Sequence, residues 1–211
     1  MIDHKNKFIY TKIAKTGGTS IYKMLLESSV SEDISHKGHW HLADQISEKT
    51  KDYFKFSFVR NPWERAVSYY FYKRQRLLNN HHDEKDLFFT KYTFEQYLLE
   101  TDKFTPVYNW KPESYALKDM IMKHGWYHNQ IDWLTDDKGV PLVDYVGKLE
   151  NIAKEMPIIF DRLGMSNVPV KHVNKSSHKH YTKYYTSNEM IEAVEKLWAR
   201  DIALYNYKYG E

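Results

Sequence analysis

A lysine, two adjacent glycines and three hydroxyl residues crowd residues 13–22, which read IAKTGGTSIY. Glycines let backbone N–H groups come close to a ligand. The N–H groups of Gly17 to Ser20 open a helix without intrahelical partners, and the helix dipole favours an anion at that end. Lys15 adds a full positive charge, and Thr16, Thr19 and Ser20 can donate hydroxyl hydrogen bonds. Together they describe a cradle for a phosphate or phosphosulfate; a tight turn with surface hydroxyls is the competing reading. The order is not that of a Walker A loop, where Gly-Lys-Ser/Thr closes the motif and the hydroxyl meets magnesium. Here Lys15 precedes Gly17 and Gly18, and Asp144, in the apolar stretch LVDYVGKLE, stands at the start of its expected strand, the wrong end for a magnesium ligand.

A second cluster follows in FSFVRNPWERAVSYY (56–70). Arg60 leaves a strand end and Ser68 lies about two helical turns on. A planar guanidinium with a hydroxyl suits a second phosphate, or else an arginine on helix-end carbonyls and a packed serine. Between the two clusters, SHKGHWHLADQ (35–45) offers His36, His39 and His41. Histidine is the side chain best matched to proton transfer at neutral pH. A metal site is the rival reading, but the spacing supplies no carboxylate partner, and no metal is expected. HHDE (81–84) also resembles a metal ligand set but is read as a solvated loop.

These residues need elements to position them. KFIYTKIA (7–14) reads as a buried strand, and Ile21, Met24, Leu25 and Ser28 fall at helical spacing after it. YFKFSFVR (53–60) alternates as a second strand. Asn61, Pro62 and Glu64 then suit the N-cap, the first helical position and a capping box. TFEQYLLE reads as a helix and LVDYVGKLE (142–150) as a third strand. A helix follows with Ile152, Met156, Ile159, Phe160 and Leu163 inward, Gly164 as C-cap, and Pro157 as a kink or a second start. The last helix opens with Thr186 and Glu189 as a capping box and buries Ile191, Val194, Leu197, Trp198 and Ile202. Strands alternating with helices predict an α/β fold with a central, mainly parallel sheet flanked by helices. Such sheets bind ligands at the strands' carboxyl ends, where Lys15 and Arg60 both fall.

At 211 residues the chain fits a single domain, 1–211. A net charge of +3 without a dense basic block suits an anionic ligand and argues against nucleic acid. The absence of cysteine removes disulfide and thiolate chemistry. No apolar run long enough for a signal peptide or membrane span is seen at the N-terminus, so a soluble, cytoplasmic protein is expected.

KTGGTS after one strand and VRNPWERAVSYY after the next resemble the carbohydrate-type sulfotransferases, in the branch of the heparan sulfate 2-O-sulfotransferases and their bacterial relatives. VDYVGKLENI (143–152), VNKSSHKHY (173–181) and ARDIALYNY (199–207) match in the same order. The resemblance implies a P-loop-like, three-layer fold. It implies 3′-phosphoadenosine 5′-phosphosulfate (PAPS) as co-substrate and 3′-phosphoadenosine 5′-phosphate (PAP) as product. It assigns Lys15, Thr16, Gly17, Gly18, Thr19 and Ser20 to the 5′-phosphosulfate, Arg60 and Ser68 to the 3′-phosphate, and Lys175 and Ser176 to a loop over the nucleotide. Related enzymes carry their base in a Gly-His context, here Gly38-His39, so His39 is the expected base and His41 the runner-up. The implied chemistry is metal-independent in-line displacement onto an acceptor hydroxyl, with a saccharide as the default acceptor. Trp40, Trp63, Trp110 and Trp126 are either sugar platforms or core. The rivals are an ATP-dependent kinase on a similar fold and a non-catalytic module binding sugar or nucleic acid through its basic, aromatic surface. Unlike the animal Golgi members, the chain is expected to carry no membrane anchor or stem.

Overall fold

The computed structural model describes residues 1–29, 31, 33–35, 38–78, 92–99, 129–170 and 179–211. They fall into two compact units, Met1–Arg60 with Asn129–Lys175, and Asn61–His128 with Ser176–Glu211.

The first unit holds a five-stranded sheet in the order β3-β1-β2-β4-β5. The strands are β1 (Ile2–Asp3), β2 (Phe8–Thr11), β3 (Ile34–Ser35), β4 (Phe54–Val59) and β5 (Tyr145–Lys148). β2, β4 and β5 run parallel, and the two-residue strands β1 and β3 add an antiparallel edge. This mixed sheet keeps the mostly parallel core that the alternating pattern predicts. Tyr10 lies beside Phe56 in the register, so Phe8, Tyr10, Phe56 and Phe58 share one face. Helix α1 (Gly18–Ser28) brings Ile21, Met24 and Leu25 onto that face, and a later helix of this unit, Ile152–Arg162, brings Ile152, Met156, Ile159 and Phe160. Each such side chain, fully removed from water, contributes about 1.5–3 kcal/mol. The opposite face is partly polar: Ser57 donates to the Thr11 carbonyl at 2.7 Å, and both residues are fully buried.

The helix Ile152–Arg162 runs through Pro157 as one element, so the proline neither ends it nor starts another. Gly164 closes it at φ +61°, with Met165 N–H on the Phe160 carbonyl and Gly164 N–H on that of Asp161, the paired bonds of a Schellman cap. In β5, a Cβ placed on Gly147 would come within 2.7 Å of the Phe58 ring. We expect Gly147→Ala to destabilise the fold by about 1–3 kcal/mol through overpacking, read as a lower Tm.

In the second unit, α2 (Pro62–Leu78) starts as the sequence predicts, with Asn61 Oδ1 accepting from Trp63 and Glu64 N–H at 3.1 and 3.3 Å. Helix α3 is Phe94–Leu99, opened by a reciprocal bond pair between Thr93 and Gln96. With the helix Ile152–Arg162 designated α4, the C-terminal pair is α5 (Asn188–Leu197) and α6 (Ala199–Tyr205). The sequence expects one final helix capped by Thr186. The structure breaks it at Trp198 and places Ser187 at the N-cap. The phase that wins buries Met190, Val194, Trp198 and Asp201, leaving Ile191, Leu197 and Ile202 half-buried. Trp63 belongs to this unit's core, its indole N–H on the Ile191 carbonyl at 3.2 Å. Among the described residues no helix is long and apolar enough to cross a membrane.

Candidate active site

The first candidate element is the connection from β2 to α1. Lys15 and Gly17 take φ values of +67° and +74°, so the chain curls twice in the left-handed region around Thr16. For lysine that conformation is costly, and such strain persists where the surroundings impose it, often at ligand sites. Thr16 is fully buried and its hydroxyl donates to the Ile13 carbonyl at 3.1 Å, so that oxygen braces the loop. Gly17 is the N-cap, and its carbonyl accepts from Ser20 and Ile21 N–H at 2.9 and 3.2 Å. Gly18 opens the helix against the methylenes of Lys12, which a Cβ there would strike, and a Cβ on Gly17 would strike Leu149. Side chains and backbone are thus drawn in tightly around the helix start.

Arg60 follows the last residue of β4. Its Nη1 donates to the Lys15 carbonyl at 3.3 Å, which places the guanidinium beside the loop. Burial, and secondly the Arg60 cation, push the Lys15 ammonium down from 10.5 to about 8. Burial also lowers Lys12. A desolvated lysine beside an arginine is an arrangement that an anion relieves.

The third element is the histidine loop. His39 Nδ1 lies 2.9 Å from the Lys12 carbonyl. A carbonyl can only accept, so Nδ1 carries the proton in the neutral ring and Nε2 holds the basic lone pair. Lys12 therefore joins the two elements: its carbonyl orients His39 and its side chain lies against Gly18. His41 is placed differently, stacked flat on the buried Trp133 with ring centroids 4.6 Å apart. Trp40, between them, is 45% exposed.

The structure thus brings Lys15, Thr16, Gly17, Gly18, Thr19, Ser20, Arg60 and His39 onto connected backbone. Ser68 lies buried on α2, in the second unit. Lys175, Ser176, His36, Trp110, Trp126 and the HHDE stretch lie outside the described residues. Asp144 sits just before β5, its carboxylate on Lys55 N–H at 2.7 Å and on Lys55 Nζ at 3.4 Å, which ties it to the amino end of the parallel strands.

Two residues that sequence reading passes over support this site. Gln45 is buried, and its Nε2 lies within 3.1–3.3 Å of Thr11 Oγ1 and the carbonyls of Trp40 and His41, lacing the histidine loop to β2. Gln130 is fully buried and bonds both backbone groups of Arg60. A glutamine in a polar stretch gives no motif; only the backbone groups left over at a strand end would point to it.

The comparisons with known proteins bear on this arrangement. No significant match came from the curated proteins or from the solved structures. The sequence model of the sulfotransferase family matches residues 1–208. That span takes in the glycine loop, the histidine loop and Arg60 together, and with nearly the whole chain covered, the protein belongs to the sulfotransferase family.

Proposed function

We propose that the protein transfers a sulfuryl group from PAPS to a hydroxyl of a saccharide, with His39 as base, as in the 2-O-sulfotransferase branch its motifs resemble. The observation that carries this is the junction at Lys12 and Lys15: the helix start, a desolvated lysine, Arg60 and an oriented imidazole share one stretch of backbone.

The donor supplies an activated sulfuryl group; the chain supplies everything else. Lys15 and the first amides of α1 would hold the 5′-phosphosulfate, with Thr19 and Ser20 in the same turn. Arg60 would take the 3′-phosphate, an assignment the resemblance extends to Ser68, Lys175 and Ser176. His39 Nε2 takes the acceptor proton as the new O–S bond forms. The bond between sulfur and the bridging oxygen breaks, its electron pair passes to that oxygen, and PAP leaves. Lys15 and the helix start are in place before that charge develops, which is what makes preorganised donors effective. Among the described residues, Trp40 stands exposed next to the base and offers an aromatic face for a sugar.

A thermal-shift titration without magnesium tests the donor. PAP at 100 times its dissociation constant should stabilise the protein by about 2.7 kcal/mol, whereas AMP and ATP at the same concentration should do much less. Arg60→Ala should remove the preference for the 3′-phosphate. Equal responses to PAP and AMP would refute the reading, and ATP binding that needs magnesium would favour a kinase.

A further inference from the structure

We propose that Gln130 is the positioning residue for Arg60 and thereby sets the preference for a 3′-phosphorylated nucleotide; this rests on the donor reading above. The parallel ladder of β4 with β5 stops at the pair Val59–Lys148, and Arg60 is the next residue. Among the described residues no strand pairs beyond it, yet a backbone N–H and carbonyl leaving the sheet still need partners. The side-chain amide of Gln130 meets both. Its Oε1 accepts from Arg60 N–H at 2.8 Å, and its Nε2 donates to the Arg60 carbonyl at 2.9 Å. The orientation is fixed, since a backbone N–H needs an acceptor and a carbonyl needs a donor. One buried side chain thus replaces a neighbouring strand for a single residue.

The residue held this way is the one whose guanidinium reaches the Lys15 carbonyl. Arg60 is gripped at its backbone by Gln130 and at its head by the glycine loop. The turn that begins with Gln130, Gln130–Leu134, also serves the histidine loop: the Trp133 carbonyl accepts from Leu42 N–H at 2.8 Å, and the Trp133 ring carries His41. A side chain that served only the core would require no amide here. Methionine has nearly the same length and fills the same space, but can bond neither group.

The test is a cycle of four proteins: wild type, Gln130→Met, Arg60→Ala and the double variant. Dissociation constants for PAP and for AMP are measured on each, and the readout is their ratio. We expect the wild type to favour PAP and Gln130→Met to lose about tenfold of that preference, within the coupling expected inside one hydrogen-bonded network. A loss shared by PAP and AMP cancels in the ratio, so only the 3′-phosphate preference is read. The double variant should match Arg60→Ala alone. Gln130→Glu provides a second variant should methionine prevent folding. Its carboxyl group can accept from the Arg60 N–H but offers no amide N–H to the Arg60 carbonyl, so it too should lose part of the preference. A lower Tm with the preference intact in both variants would overturn the proposal, as would losses that multiply in the double variant. A wild type that binds PAP and AMP equally would overturn the donor reading and this inference with it. A wild-type preference that survives in the Gln130 variants overturns this inference alone.

Discussion

His39→Ala should lower sulfuryl transfer from PAPS, measured on the best saccharide of an acceptor panel, by about 10²- to 10⁴-fold, while the stabilisation by PAP stays unchanged. The range is what a positioned general base contributes. The imidazole makes two separable contributions, because Nδ1 is committed to the Lys12 carbonyl and only Nε2 can accept a proton. Alanine removes both, and the lost hydrogen bond alone should lower stability by about 0.5–1.5 kcal/mol. His39→Asn separates them. Its amide N–H can take over the place of Nδ1 on the Lys12 carbonyl, but nothing replaces Nε2. We therefore expect His39→Asn to keep its Tm and to lose as much turnover as alanine. His41→Ala should cost packing against Trp133 and leave most of the turnover in place. If His41→Ala abolishes turnover and His39→Asn retains it, the assignment is reversed.

The parts of the fold that could be read from sequence are those in which local chemistry and tertiary packing agree. Phe54, Phe56 and Phe58 alternate because they share the face of β4 that packs into the apolar core, and Asn61 caps α2 because its carboxamide meets two N–H groups at the next turn. The glycine pair is readable for the same reason: Gly17 must turn left-handed, and Gly18 must leave room for Lys12. The failures lie where packing overrides a local signal. Of the two readings of Pro157 the second helix start fails: it stands inside α4, where loss of one backbone bond is outweighed by Met156, Ile159 and Phe160 all reaching the core. The last helix divides at Trp198 although its apolar spacing continues across the break. The site follows the same pattern. Lys15, His39 and Arg60 announce themselves by residue type. Gln45 and Gln130 do not, because their work is to bond backbone that only the folded chain brings near.

Lys15→Met should reduce turnover by about 10²- to 10³-fold, the scale of losing one preorganised donor to a developing oxyanion, yet make the unliganded protein more stable near pH 7. Both effects come from one fact. In the folded chain the ammonium is held down at about 8 by burial and by Arg60, against 10.5 for a free lysine. The unfolded chain therefore binds more protons than the folded one between those values, so stability without ligand rises with pH across that window. Below about pH 8 the lysine is charged in both states and its full cost is present; above 10.5 it is neutral in both and the cost is gone. Methionine removes the cost altogether, so its gain in Tm over wild type should be greatest at pH 7 and should fade above pH 9. Anion binding has the opposite sign. A phosphosulfate or PAP favours the ammonium and raises its pKa, so binding above pH 8 takes up a proton, and PAP affinity should fall by up to about tenfold per pH unit there. Lys15→Met should bind PAP more weakly and without that pH dependence. Lys15→Arg keeps the charge but replaces a compact ammonium with a planar fork, and should recover binding better than turnover. Calorimetry of PAP binding at pH 7, 8 and 9 in two buffers of different ionisation enthalpy measures the proton uptake directly. Equal uptake in wild type and Lys15→Met would assign the titration to another group, whereas its loss in the variant would mean that the lysine whose charge the fold disfavours is the one the anion pays to keep.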